Sequence, residues 1–302
     1  MEVYTDLTLK ELKHISTDAN GTFQLQFTKP LKKPYCNILN LLLLKKQNIK
    51  IRFYSYDGAF KDLSFLKLIP NIKRLSLHDN TISNLEPVSF LQELVSFSIG
   101  KTKSKTLNFS PLIILKNLTS IEVDGQSDIL TIIQNSSILK ELYIEAITIG
   151  DLNQIGHLKQ LENLDLTKCN CSNYMVLTRL SKLKYLSLTK QNLDNIDFVG
   201  NLKAIEYLIL ESLKIFKLPD FTNCKNLQKI LLVGLNKIKS YQSLSTAGAL
   251  EEIGLRGIKS VDVSDFRFLK ENKRIKKVTA DIKDKQNSNE FYKFLKLVGL
   301  NN

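Results

Sequence analysis

The chain has 302 residues, 43% hydrophobic and 24% charged, with a formal net charge of +13. This is the composition of a globular protein with ample length for a buried core, and it excludes a disordered or collagen-like chain. Net charge alone points to nucleic acid or an anionic surface, but the excess sits at the ends: residues 214–302 carry 18 Lys and Arg against 9 Asp and Glu, while residues 51–213 are balanced.

In chain order, Met1–Leu9 is polar and acidic, without the apolar core of a signal peptide. A strand is expected over Thr22–Thr28 and a helix around Tyr35–Lys46, and residues 1–47 read as an N-terminal cap. The longest apolar run, Ile38–Leu44, is broken by Asn40 and too short to cross a bilayer. From residue 48 a pattern L-x-x-L-x-L recurs. Its lines begin at Ile72, Leu94, Leu118, Leu139, Leu161, Leu183, Ile205, Leu227, Leu250 and Ile275, and an imperfect line with Asn48, Ile51 and Phe53 starts the array. Most steps are 22 residues; Leu94 to Leu118 is 24.

Apolar residues at the fourth and sixth positions share one face of a short strand. One unit cannot bury that face alone, so units must stack. Later apolar residues, such as Ile82, Leu85 and Leu91, or Leu193, Ile196, Val199 and Leu202, recur about every three positions and suit 3₁₀ returns. At the end of the chain, Asn287–Glu290 reads as a helix start, with Phe291, Phe294, Leu295 and Val298 on one face as a lid.

These lines resemble the leucine-rich-repeat family, and their step resembles its internalin-like 22-residue bacterial subclass. The resemblance covers about residues 48–283. It implies an α/β solenoid: a right-handed superhelix of about 10–11 repeats with a parallel concave sheet and a convex side of 3₁₀ or short helices. The array, 48–286, then lies between the cap 1–47 and a capping helix 287–302 in a single structural domain. The family usually has Asn or Cys at the ninth position; here only Asn80 and Cys169 match, so the polar ladder is mostly absent and irregular C-terminal turns are expected. The signal peptide and anchor of secreted internalins are not visible. A cytoplasmic bacterial protein with reduced Cys36, Cys169, Cys171 and Cys224 is expected.

The third, fifth and seventh positions of each line face outward on the concave side. They run from Arg74, Ser76 and His78 through an acidic centre to Lys229, Leu231 and Val233. Strands about 4.8 Å apart gather Glu122, Asp124, Glu141, Glu145 and Asp165 into a stripe bordered by Tyr143, Tyr185 and Tyr207, with Glu211 beyond. Tyrosine is a frequent interface anchor. The stripe is expected to bind a protein partner with a basic surface; the plainer alternative is that its acids keep the sheet soluble.

Signs of catalysis are lacking. His14, His78 and His157 are far apart in sequence, Cys169-x-Cys171 has no second ligand pair for zinc, and there is no phosphate-loop motif. A non-enzymatic monomer without cofactor or metal is expected. A narrower reading, by analogy, is a toxin-neutralising immunity protein of a bacterial system. A reading of another class is nucleic-acid or anionic-surface binding through the basic segment Lys270–Lys277, near Phe266 and Phe268. Neither nucleic acid nor a membrane is the expected partner.

Overall fold

The computed structural model describes residues 2–15, 23–46, 48–104 and 106–300. Thr22, expected to open a strand, and the side chain of His14 lie outside the described residues. The chain gathers into two compact units, Met1–Ile147 and Thr148–Asn302, each described by itself.

The first unit contains β1 (Val3–Thr5), α1 (Leu9–His14), β2 (Phe23–Phe27), α2 (Lys33–Lys45), β3 (Ile49–Tyr54), β4 (Arg74–His78), β5 (Ser96–Ile99), β6 (Ser120–Asp124), α3 (Leu130–Asn135) and β7 (Glu141–Glu145). Its strands pair in chain order, every pair parallel. The segment before residue 48 lacks the repeat, yet it extends the same stack: Val3 pairs with Gln24, and Phe23 with Ile49. Thr8 and Glu11 form a reciprocal capping box that starts α1. Pro34 stands in the first turn of α2, where its missing N–H costs nothing, and Cys36, Leu39 and Leu43 are the buried face. Phe53 anchors this end of the core, with ring centroids 5.3 Å from Phe60 and 4.9 Å from Phe65.

Along the array, the fourth and sixth positions are the core: Leu75, Leu77, Ile121, Val123, Leu142 and Ile144 are all buried. Burial of one such side chain stabilises by roughly 1.5–3 kcal/mol before entropy is counted. The chain returns through 3₁₀ stretches at Ser64–Leu68, Glu86–Phe90 and Ser110–Leu112, and through the short helix α3 in the line from Leu118.

The second unit contains β8 (Thr148–Asp151), β9 (Asn163–Thr167), β10 (Asn170–Ser172), β11 (Tyr185–Thr189), β12 (Tyr207–Glu211), β13 (Lys229–Val233), β14 (Glu252–Ile258), β15 (Lys277–Ile282) and α4 (Lys285–Leu297). From β9 to β15 the repeat strands stack in parallel, while β8 and β10 pair separately. α4 begins earlier than its sequence suggested. Asp284 is the cap, accepting from the Asn287 N–H at 3.0 Å. The Asn287 amide is used elsewhere: its oxygen accepts from Val261 N–H and its nitrogen donates to Val261 O, both at 2.8 Å. Phe291 and Leu295 are buried, and Phe291 meets Phe266 edge-on at 4.8 Å.

Most turns that follow the strands are more regular than the missing asparagines predicted, but at the C-terminal end the β14–β15 pairing shifts register between Leu255 and Ile258, as expected there. The eighth position of each line from Leu118 to Leu250 is left-handed: Gly125, Ala146, Lys168, Lys190, Ser212, Gly234 and Gly257 all have φ between 51° and 71°. This bend extends the ladder by one rung. Lys168 N–H donates to Thr189 O and Lys190 N–H to Glu211 O, both at 2.9 Å, and Gly234 N–H to Arg256 O at 2.8 Å. Behind it, Gln191 replaces the ladder asparagine: its Nε2 donates to Leu166 O at 2.7 Å and Thr189 O at 3.0 Å, and its Oε1 accepts from the Tyr174 hydroxyl at 2.9 Å. Ile147, Leu213, Leu235 and Ile258 fill the same position as buried apolar residues. Asp79 and Lys101, at the eighth position of the two preceding lines, do not take the left-handed bend.

Candidate functional site

In the first unit, register brings the expected acidic residues together. Ser120 lies opposite Glu141, Glu122 opposite Tyr143 and Asp124 opposite Glu145. Glu122 is exposed and the other acids and Tyr143 are half-buried, on the strand face opposite the core. The Ser120 hydroxyl donates to Glu141 Oε2 at 2.8 Å, which holds that carboxylate along the strand. Four carboxylates and one tyrosine therefore share two adjacent strands.

In the second unit, Asp165 lies opposite Ser187, Tyr185 opposite Tyr207, and Glu211 opposite Thr189. Tyr185 and Tyr207 pack edge to face with centroids 5.3 Å apart. Burial, and then the Asp165 charge, raises the Tyr185 phenol above its ordinary range, so it stays a neutral hydrogen-bonding group. Asp165 accepts from the Thr167 hydroxyl at 2.9 Å. This face is less acidic than the first. Lys229 lies 5.4 Å over the Tyr207 ring and pairs with Glu252 at 2.7 Å. Position-by-position reading of the sequence missed that coupling, although Lys229 and Glu252 occupy the same position in successive lines.

These in-register parallel strands, joined by 3₁₀ returns at a 22-residue step, decide the architecture. The chain has an internalin-like leucine-rich-repeat fold. Among solved structures it is similar to an internalin (inlF) of Listeria monocytogenes, with 19% identity, a TM-score of 0.46, and coverage of 85% of this chain and 65% of that one. It is also similar to internalin C2 of the same organism, with 21% identity, a TM-score of 0.44, and 72% and 83% of the two chains covered. A leucine-rich-repeat protein of Leptospira interrogans matches at 14% identity and a TM-score of 0.38 over 98% of each chain. The chain thus spans just under two thirds of the inlF structure. At these identities and TM-scores the likeness says nothing of what this chain binds. No protein-family model and no curated protein matches the chain.

The remaining sequence candidates sit apart from these faces. Cys169 is buried and Cys171 partly so; the neighbouring thiol and burial push Cys171 up, and burial pushes Cys224 up to about 11, so both stay thiols near neutral pH. Among the described residues no group of three or more His, Cys, Asp or Glu is placed to hold a metal ion, and no helix is long and apolar enough to cross a membrane. Phe266, one of two aromatics near the basic Lys270–Lys277 segment, is fully buried against Phe291 and cannot stack on a base.

Proposed function

We propose that the chain is a non-catalytic protein-binding module whose outward strand faces take a partner with a basic surface. The observation that carries this reading is a reversal of sign. A chain of net charge +13 places Glu122, Asp124, Glu141 and Glu145 around Tyr143 on two adjacent strands. Half-buried carboxylates beside a tyrosine favour cationic side chains and disfavour anionic ones, which gives selectivity and a faster encounter. In the second unit, Asp165, Tyr185, Tyr207 and Glu211 form a more aromatic contact of the same kind, where tyrosine supplies area at low entropic cost.

The test is capture from the source cell, followed by mass spectrometry and a binding titration of the captured protein. The double substitution Glu141→Lys/Glu145→Lys should weaken binding at least about tenfold. Unchanged affinity sinks the proposal. A partner with an acidic surface, insensitive to these residues, would transfer the function to the basic ends of the chain.

A further inference from the structure

At the ends of β3, β4 and β5, within the first unit, lies a cavity of about 820 Å³. It opens where the repeat is irregular. β5 has four residues against five in β4 and β6, and the step from Leu94 to Leu118 is two residues longer than usual. Gly100 N–H donates to Leu77 O at 2.9 Å, and among the described residues the next backbone bond between these two turns is Lys103 N–H to Asn80 O, 2.7 Å. The loop between these bonds stands away from its neighbour.

The groups around this space divide into aromatic and cationic. Tyr54 and Tyr56 stand edge to face, 4.9 Å apart, with Tyr56 82% exposed. The Arg52 guanidinium backs the Tyr54 ring at 4.6 Å. His78 completes the wall, 6.5 Å from Tyr54. Gly100 makes room for it, since a Cβ there would lie 2.9 Å from His78 Nδ1. Burial, with Arg52 and Lys50 nearby, lowers the His78 pKa against the opposing pull of Glu122, so the ring is neutral and can both donate and accept. Lys101 and Lys103 line the other side and are exposed. Asp57 is occupied by the Ser55 hydroxyl and by the backbone N–H groups of Asp57 and Ala59. The Asn80 amide also lines the cavity, and its Oδ1 is buried without a hydrogen-bond partner.

We propose that this cavity binds a nucleoside monophosphate, with the base against Tyr54 and Tyr56 and the phosphate against Lys101 and Lys103. Stacking on tyrosine accepts any base, and lysine neutralises phosphate without demanding a fixed geometry. Two observations favour a nucleotide over a simple aryl phosphate. The volume lies within the roughly 300–1,000 Å³ typical of cofactor-sized ligands, so a single phenyl ring would leave most of it empty. A base edge also carries amines, which the Asn80 oxygen accepts once its amide turns about the Cβ–Cγ bond; a phenyl ring offers none.

Isothermal titration of the full chain with AMP, GMP, CMP and UMP tests this, with ribose 5-phosphate and phenyl phosphate as controls. At least one nucleotide should bind with Kd of about 1 mM or tighter, and ribose 5-phosphate should bind at least about tenfold more weakly. Tyr56→Ala and the pair Lys101→Ala/Lys103→Ala should each weaken nucleotide binding about tenfold. All three side chains are exposed, so the unfolding midpoint should not move. The control pair Arg274→Ala/Lys276→Ala should leave binding unchanged. The proposal is overturned if no nucleotide binds with Kd of about 1 mM or tighter, if the cavity variants bind as the parent does, or if phenyl phosphate binds as tightly as the nucleotides.

Discussion

After its strands the chain makes two kinds of turn, and they differ in what holds them. From Gly125 to Gly257 the eighth position is left-handed, its N–H adds a rung to the ladder where that bond is formed, and the repeats close against each other. At Asp79 and Lys101 that bend is absent. There the buried Asp79 carboxylate accepts from Phe60 N–H at 2.9 Å, Thr81 N–H at 2.8 Å and the Thr81 hydroxyl at 2.7 Å. A side-chain clamp has replaced a backbone rung, and the freed loop leaves a cavity beside His78. A solenoid can therefore open a cavity without a new element, by omitting a hydrogen bond between adjacent turns.

If this contrast is right, substitutions in the two turn classes should fail for different reasons. The largest effect is expected at Asp79. Asp79→Ala strands buried N–H groups and should lower the unfolding free energy in urea by about 3 kcal/mol; a loss below about 1 kcal/mol would show that the clamp is dispensable. Gln191→Leu is the counterpart in the second class. It removes the acceptor of the Tyr174 hydroxyl and the side-chain donor to Leu166 O, while Thr189 O keeps its bond from Lys168 N–H, and should cost about 1–3 kcal/mol in the same measurement.

Backbone conformation gives a smaller and more specific effect. Gly234 has φ 62°, so Gly234→Ala should cost about 1 kcal/mol, whereas Lys190→Gly, at φ 53°, should gain about 0.5–1 kcal/mol in thermal unfolding. A loss at Lys190→Gly would mean that its side chain, not the bend, matters there. The smallest effect is a pH dependence at His78. Its folded pKa lies below the unfolded value, so the unfolded chain binds more protons as pH falls. The stabilisation is complete above the unfolded pKa, near 6.5, and declines as pH drops through that value towards the folded pKa. Urea midpoints at pH 7.5 and 6.0 should differ less in His78→Gln than in the parent chain.

The repeat was legible in the sequence because a strand's buried face has a period of two and each unit must present it again to its neighbour. Spacing alone therefore located the repeat strands from Arg74 to Ile282, though not β8 and β10, as well as the 3₁₀ returns and the grouping of four carboxylates on β6 and β7. The C-terminal lid was legible as a helix but not in its start, since Asp284 and Asn287 are both good caps and only the position of Val261 decided which was free to act. β1 was hidden, and β2 was legible as a strand but not as part of the stack, because both join it without carrying the consensus. The ninth-position asparagines proved a poor guide, because backbone conformation one residue earlier does much of their work. What the tertiary structure decided depends on neighbours in the adjacent repeat: the Lys229–Glu252 pair, the Gln191–Tyr174 bond, and the opening beside His78. The sequence marked that last place only by two extra residues between Leu94 and Leu118. The pattern records what each strand buries, whereas the cavity arises from a bond that two adjacent turns do not make.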